Sequence, residues 1–361
     1  MHQKRGVVSV MPKQWVVNPE VDLVSVLAEY GRFLENDYRM AIEHLEVPSF
    51  FEDFTEKSRR RFVIVGAKSV PTATAKSVFL CLKLAGPDSV IVKTSTLDEC
   101  FLVQNVLDYY GDGIRTKVYN QSSDDLKLDQ EWLDELENAT DIVVFGGQDT
   151  MTAFRELETV ERRVWEHGPK FSFGIVREEH LQLSSIVREI CFDFFSFYGE
   201  GCLSPKFYFV LSPSGRVPDK LWKLISAVMT EYYGNPIEEF RSKLPLTRKS
   251  DLVQQYVLTN LVAKHVRVEK MGSNEMFSTL YGDARFVVVE SLDEVQEFIE
   301  TWRDQISSVA VNFEDDEETE MLMMELQIPR ICDFGEMQFP DFFEAFDHVD
   351  DFDIYAKEEE E

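Results

Sequence analysis

The sequence has no stretch of eighteen consecutive apolar residues, and Lys4 and Arg5 near its start are followed by no uninterrupted apolar segment of signal length. A membrane-spanning helix and a secretory leader are therefore not expected, and the chain reads as a soluble cytoplasmic protein without membrane insertion. Positive charge is scarce: 37 Lys and Arg face 66 Asp and Glu, a formal charge of −29. A field of that sign repels phosphate backbones and anionic lipid, which argues against nucleic acid or a membrane surface as partner. The five cysteines, at 81, 100, 191, 202 and 332, are odd in number and show no metal spacing and no pair suggestive of a disulfide framework. That usage fits a reducing compartment, and no metal is expected. A Gly-x-Gly-x-x-Gly fingerprint, an internal repeat and a low-complexity linker are also missing.

What is present is a series of short β-branched runs. Arg61-Phe62-Val63-Ile64-Val65-Gly66, Ser89-Val90-Ile91-Val92-Lys93, Arg115-Thr116-Lys117-Val118-Tyr119 and Asp141-Ile142-Val143-Val144-Phe145 read as buried parallel strands. Helical patterns at 71–84, with proline in the first turn, at 97–110, ending before Gly111, and at 130–136 lie between them. Right-handed crossovers then predict an open sheet covered by helices on both faces. Ligands of such sheets sit beyond the carboxyl ends of the strands. Two ends suit a dinucleotide: Lys93 with Ser95 and Thr96, which supply charge and hydroxyls, and Gly146-Gly147, which let a backbone approach closely. An ordinary strand-to-helix turn would also explain the glycine pair.

The other chemistry-bearing stretch is Phe197-Tyr198-Gly199-Glu200-Gly201-Cys202-Leu203-Ser204-Pro205-Lys206. Gly199 and Gly201 allow a sharp turn after a helix, and Pro205 hands the chain to a strand at 207–211. Cys202 is there either a small buried hydrophobe or a thiol nucleophile. Lys206 reads as a solvated strand residue.

Taken in order, these pieces resemble the aldehyde dehydrogenase superfamily, and within it the acyl-CoA reductase of bacterial luminescence. Val65-Gly66-Ala67-Lys68-Ser69-Val70-Pro71 is similar to the family's Gly-Asn-Val-Pro segment, and Val90-Ile91-Val92-Lys93-Thr94-Ser95 to its Val-Val-Lys-Pro-Ser strand end. Val144-Phe145-Gly146-Gly147 resembles the glycine turn under the nicotinamide nucleotide, residues 168–173 the linker to the catalytic domain, and Gly201-Cys202-Leu203-Ser204-Pro205 the nucleophile turn. Arg330-Ile331-Cys332-Asp333-Phe334-Gly335-Glu336-Met337-Gln338 is similar to a late element of the luminescence reductases.

The resemblance implies an aldehyde-dehydrogenase-like α/β fold, with a doubly wound Rossmann-type cofactor domain and an α/β catalytic domain. It implies domains at 45–172 and 173–345, a helical segment at 1–44 and an acidic tail at 346–361. The implied function is an acyl-CoA reductase: Cys202 is acylated by acyl-CoA or another acyl thioester, and hydride from NADPH releases a fatty aldehyde. Ser69 stands where the family has an oxyanion asparagine. Thr96 stands where members preferring NAD carry a glutamate, which leaves room for a ribose phosphate. Ser172-Phe173-Gly174-Ile175 stands where aldehyde oxidisers carry the glutamate that activates water, and Glu178 and Glu179 are the nearby acids that would have to replace it. The altered Ser69, a His348-Val349-Asp350 in place of His-Asp-Gly, and a short N-terminal region support an alternative, a catalytically degenerate acyl-accepting or scaffolding subunit. A homo-oligomer and an acyl-transferring partner subunit both remain open, and reduction of an acyl phosphate or activated acid is a weaker reading.

In a chain this acidic, anionic cofactor and CoA need local basic residues such as Lys68, Lys93, Lys170 or Lys206. Phe192, Phe194, Phe195, Phe197 and the phenylalanines at 339, 342, 343, 346 and 352 read as core, with an acyl tunnel as the other use. The acidic run 314–320 reads as a solvated loop, as does the tail 358–361. Further helices at 21–45, 219–232, 252–263 and 292–303 and strands at 285–289 and 307–312 complete a second α/β layer.

Overall fold

The computed structural model describes residues 39, 59–67, 71–86, 89–96, 99, 100, 102–104, 107, 117–119, 129–199, 201–218, 220, 221, 223–225, 227, 228, 266–270, 284–312, 316–338 and 340. Ser69, the helices expected at 21–45 and 252–263, His348 and the acidic tail lie outside the described residues. The chain divides into two compact units, residues 170–350 forming one and residues 1–169 with 351–361 the other.

The first unit holds a parallel sheet of β1 (Phe62–Val65), β2 (Val90–Lys93), β3 (Lys117–Tyr119), β4 (Asp141–Phe145) and β5 (Arg163–His167), in the order β3-β2-β1-β4-β5. β1, β2 and β4 are buried along their whole length, which is why their sequences are unbroken apolar runs rather than alternating ones. The strand order reverses between β1 and β4, so a crevice for ligands is expected beyond their carboxyl ends. Helix α1 (Pro71–Ala85) follows β1, α2 (Gln130–Asn138) precedes β4 and α3 (Gln148–Arg155) follows it. Asp129 caps α2 by accepting hydrogen bonds from Glu131 N–H and Trp132 N–H, which sets Trp132 edge-on against Tyr119 with ring centroids 5.3 Å apart. β5 is not legible in the sequence. It is an edge strand with mixed polarity, Arg-Val-Trp-Glu-His, mostly half-buried, and it takes its place only by pairing with β4.

The second unit is also parallel: β6 (Phe171–Arg177), β7 (Pro205–Leu211), β8 (Val266–Lys270), β9 (Ala284–Val289), β10 (Ile306–Ala310) and β11 (Ile331–Cys332), ordered β11-β10-β6-β7-β9-β8. Residues 171–173, read from the sequence as linker, are the start of β6 and lie inside the sheet. Helix α4 (Ser184–Phe195) leads to the cysteine turn, and α5 (Leu292–Trp302) packs Phe298 against Phe173, Phe207 and Phe209 at centroid distances of 5.7, 5.7 and 5.2 Å. Phe194, Phe195 and Phe197 are buried core residues, as expected. From Asp316 onward the acidic run is not a loop. Residues 317–320 open helix α6 (Glu317–Glu325), where Asp316 caps by accepting from Thr319 N–H at 3.3 Å and three glutamates lie in the first turn. Carboxylates are favoured at a helix N-terminus, so charge that looks solvating in one dimension defines a helix start in three.

Gly174 makes room for the buried Tyr208 ring. It pairs with Tyr208, and a Cβ at Gly174 would lie 2.0 Å from Tyr208 Cε1. Gly174→Ala is expected to cost roughly 1–3 kcal/mol, because a ring packed inside a sheet has no way to retreat; chemical denaturation of the variant measures this.

Candidate active site

Cys202 lies where helix α4 gives way to strand β7. A short 3-10 turn at Ser196–Gly199 leads into three left-handed backbone positions: Phe197 at φ 50°, Gly199 at φ 68° and Gly201 at φ 95°. The two glycines adopt this conformation without a steric penalty. Phe197 does not, at a cost of about 1–3 kcal/mol, and its fully buried ring is what holds it there. Cys202 is half-exposed, whereas Cys81, Cys100, Cys191 and Cys332 are buried. Burial pushes the Cys100 and Cys191 thiols up, away from the reactive thiolate.

The turn is held by side chains from four places in the second unit. Ser172, on β6, donates its hydroxyl to Cys202 O at 2.6 Å and accepts Ser308 N–H from β10 at 3.1 Å. Lys206 is not a solvated strand residue: its Nζ donates to Gly199 O at 3.3 Å and Gly201 O at 3.2 Å. Gln338 Nε2 donates to Ser204 Oγ at 2.7 Å and to Asp193 O at 3.3 Å. Asp193, on α4, has no exposed surface; it accepts from Tyr208 O–H, Gly335 N–H and Met337 N–H. Arg330 donates to Met337 O and Glu336 O, so the 330–338 segment noticed in the sequence is folded into a loop whose last residue, Gln338, reaches the cysteine turn. The sequence did not single out Asp193, Ser172 as a bonding partner of the turn, or Gln338. One signal was there for Asp193, an acid alone among the phenylalanines of Cys191-Phe192-Asp193-Phe194-Phe195.

Glu178 and Glu179 do not replace a water-activating glutamate at Cys202. Ser172 pairs with Pro205 at one end of the β6–β7 ladder and Arg177 with Leu211 at the other, which leaves Glu178 roughly 20 Å along the strands from the thiol end. Its carboxylate accepts from Ser212 and Ser214 hydroxyls, Ser212 first, and these hold it below the usual carboxylate range.

In the first unit the residues expected at a dinucleotide meet around the carboxyl ends of β1, β2 and β4. Lys93 Nζ lies 3.2 Å from Ser95 Oγ, and Ser95 Oγ donates to Gly66 O at 3.3 Å, tying the end of β2 to that of β1. Thr96 Oγ1 accepts Glu99 N–H at 3.4 Å, which caps the helical residues that follow. Gly146 and Gly147 are exposed at the end of β4, where Gly147 precedes α3 with no side-chain cap. Among the described residues a Cβ on Gly147 would meet nothing within 4 Å, whereas one on Gly146 would meet Thr150 Cβ at 2.8 Å, so the open space lies at Gly147. Glu99 is fully buried at the ends of β1 and β2, accepting from Ser95 N–H and the Thr74 hydroxyl. Burial pushes its carboxyl up to about 7. Of the other lysines considered, Lys170 donates to Asp304 O and Lys68 lies outside the described residues.

The family model described as Acyl-CoA reductase (LuxC) matches residues 118–352. The chain belongs to this family. The match includes Gly146, Gly147 and Cys202, and it makes the protein a member of an oxidoreductase family; Ser69, Lys93, Ser95 and Thr96 precede it. No curated protein sequence matches the chain. Among solved structures, an acetylating aldehyde dehydrogenase from Geobacillus thermoglucosidasius superposes with a TM-score of 0.54 at 13% identity, over 90% of this chain and 78% of that one. A propionaldehyde dehydrogenase from Rhodopseudomonas palustris, with bound CoA and an acylated cysteine, gives 0.53 at 11% identity over 86% and 77%. An NAD-dependent aldehyde dehydrogenase from Burkholderia multivorans gives 0.56 at 12% over 87% and 68%. At these identities the likeness is one of fold, and it is the aldehyde-dehydrogenase fold. Among the described residues no helix is long and apolar enough to cross a membrane, and no group of three or more His, Cys, Asp or Glu is placed to hold a metal ion.

Proposed function

We propose that the chain reduces acyl-CoA thioesters to aldehydes through acylation of Cys202, with NADPH as reductant, the first unit serving the cofactor and the second the acyl group. The observation that carries this reading is the setting of Cys202: the half-exposed cysteine of the five, on a turn of two left-handed glycines, inside the segment matched by the acyl-CoA reductase family.

In this reading the Cys202 thiolate adds to the thioester carbonyl, and collapse of the adduct breaks the bond to CoA sulfur and leaves an acyl group on Cys202. When bound, a reduced nicotinamide supplies the hydride that takes that acyl group to the aldehyde and returns the thiolate. Lys93 and Ser95 would hold the adenosine ribose side of the cofactor, and the Gly146-Gly147 turn, open at Gly147, its pyrophosphate. Ser172 supports reduction over hydrolysis: the residue in the place of a water-activating glutamate is a buried serine engaged by Cys202 O and Ser308 N–H. Two features support NADPH. Thr96 brings no carboxylate to the ribose, and both oxygens of Glu99 are engaged inside the unit by Ser95 and Thr74.

The test is absorbance at the reduced-nicotinamide band with acyl-CoAs from short to long, run with NADPH and with NADH, and the mass of the Cys202 peptide afterwards. Consumption that requires acyl-CoA and is faster with NADPH is the expected result. An acyl adduct without consumption would favour the acyl-accepting subunit, and neither from folded protein would favour the scaffold.

A further inference from the structure

Two side chains reach the backbone on either side of Cys202, and the chemistry set out above gives neither of them a part in thioester attack. Lys206 Nζ lies 3.2 Å from Gly201 O. That oxygen belongs to the peptide group that also carries the Cys202 N–H, and every described peptide bond is trans, so the C=O and the N–H lie in one plane and point in opposite directions. A cation on the carbonyl fixes the direction of the N–H. It also draws electron density toward the oxygen and makes the N–H a stronger donor. The second contact of Lys206, to Gly199 O at 3.3 Å, steadies the other flexible residue of the turn.

The next peptide group is held from below. Ser172 Oγ donates to Cys202 O at 2.6 Å, and Ser308 N–H fixes that hydroxyl at 3.1 Å. Ser172 has no exposed surface and sits in β6 between β10 and β7, so the anchor is the sheet itself. Both peptide planes flanking the thiol are therefore tied to side chains. Without those ties Gly199 and Gly201, at φ 68° and 95°, would leave the turn free to sample other conformations.

We propose that Lys206 and Ser172 are positioning residues for acylation. Lys206 orients and polarises the Gly201-Cys202 peptide so that the Cys202 N–H receives the oxyanion, and Ser172 locks the peptide that follows. The inference rests on the reading of Cys202 as nucleophile. In the step concerned, the sulfur–carbon bond forms as the carbonyl π pair moves to oxygen, where the N–H meets it. The pair then returns to re-form the carbonyl, and the bond to CoA sulfur breaks with the electrons leaving as CoA thiolate.

A lysine beside a cysteine has another use, acidifying the thiol, and the two roles separate in one experiment. Alkylation by iodoacetamide needs the thiolate and no oxyanion, whereas acylation by acyl-CoA needs both. In Lys206→Met the acylation rate of Cys202 is expected to fall roughly tenfold to hundredfold, short of the effect of deleting a donor outright. Its alkylation rate and the pH profile of alkylation should stay within about twofold of wild type, since thiolate reactivity is set by the thiol pKa. Lys206→Arg should recover most of the loss. Ser172→Ala, which leaves the charge in place, should show the same selective loss on a smaller scale, and it carries the test if Lys206→Met does not fold by thermal unfolding. Unchanged acylation in the folded variants overturns the proposal, and so does an alkylation profile shifted to higher pH in Lys206→Met. Wild-type protein whose Cys202 takes no acyl group defeats the nucleophile reading itself, an outcome visible before any variant is made.

Discussion

Cys202→Ser is expected to lower acyl-CoA-dependent turnover by roughly 10⁴-fold or more, the scale on which removal of a nucleophile is felt. The physical reason is ionisation. A free thiol with a pKa of about 8.5 is a few per cent thiolate at neutral pH, whereas an alcohol offers almost no alkoxide unless a base is arranged to take its proton. Serine fits the turn: it keeps the backbone, and Ser172 bonds to the carbonyl of residue 202, not to its side chain. Loss of activity without loss of stability is therefore the expected pattern. The measurement is consumption of the reduced cofactor beside intact-protein mass. Wild type should carry one acyl group and the variant none, because the other four cysteines are buried. Retained turnover in Cys202→Ser with no acyl group on residue 202 of either protein would exclude covalent catalysis at this residue.

The second large effect falls on stability. Asp193 is completely buried and accepts three hydrogen bonds, from Tyr208 O–H and Gly335 N–H at 2.8 Å and Met337 N–H at 3.1 Å. Asp193→Ala strands three donors at once, Tyr208 O–H and Met337 N–H buried and Gly335 N–H half-buried, and a loss of about 3–5 kcal/mol is expected. The loss depends on pH in a defined direction. Burial, the largest influence, pushes the Asp193 carboxyl up from its ordinary 3.8 to about 7, against the opposing pull of its donors and Arg330. Between those values the folded chain holds a proton that the unfolded chain releases, so the stability this group gives is fully present at the acid end. It declines as pH rises toward about 7. The cost of the substitution should accordingly be larger near pH 5 than near pH 8, by an amount on the order of a few kcal/mol. Urea unfolding across that range, with Asp193→Asn as a non-titrating variant of similar size, measures the slope. Glu99, raised to about 7 in the other unit, adds a slope of the same sign, so the variant should lose part of the wild-type slope and not all of it. A slope unchanged in Asp193→Asn would show that this carboxyl does not titrate there.

The legible part of the fold is the part written locally. Val63 to Val65, Val90 to Val92 and Ile142 to Val144 are continuous apolar runs, and such a run has few destinations other than a strand covered on both faces. The cysteine turn was legible for a similar reason: Gly199 and Gly201 mark positions where the backbone needs a left-handed conformation, and the structure has them there at φ 68° and 95°. β5 and the start of β6 were not legible, because an edge strand of mixed polarity and a strand entered straight after Gly168-Pro169 carry no period of their own.

The polar frame of the site is the part that tertiary structure alone decided. Ser172 reaches Cys202 across 30 residues, Gln338 reaches Ser204 across 134 and Gly335 reaches Asp193 across 142. Serine, glutamine and aspartate are ordinary surface residues by composition, and burial alone makes their hydrogen bonds matter. The same holds for Lys206. From sequence its direction along a strand was ambiguous, because successive side chains point to opposite faces and the face that meets the turn is settled only when β7 pairs with β6. The sequence by itself thus determined where the strands with continuous apolar runs lie and where the cysteine turn falls. Which groups surround that thiol was decided by the parallel register of the second sheet, since hydrogen bonds act over about 3 Å and only the assembled sheet brings residues so far apart in the chain to that distance.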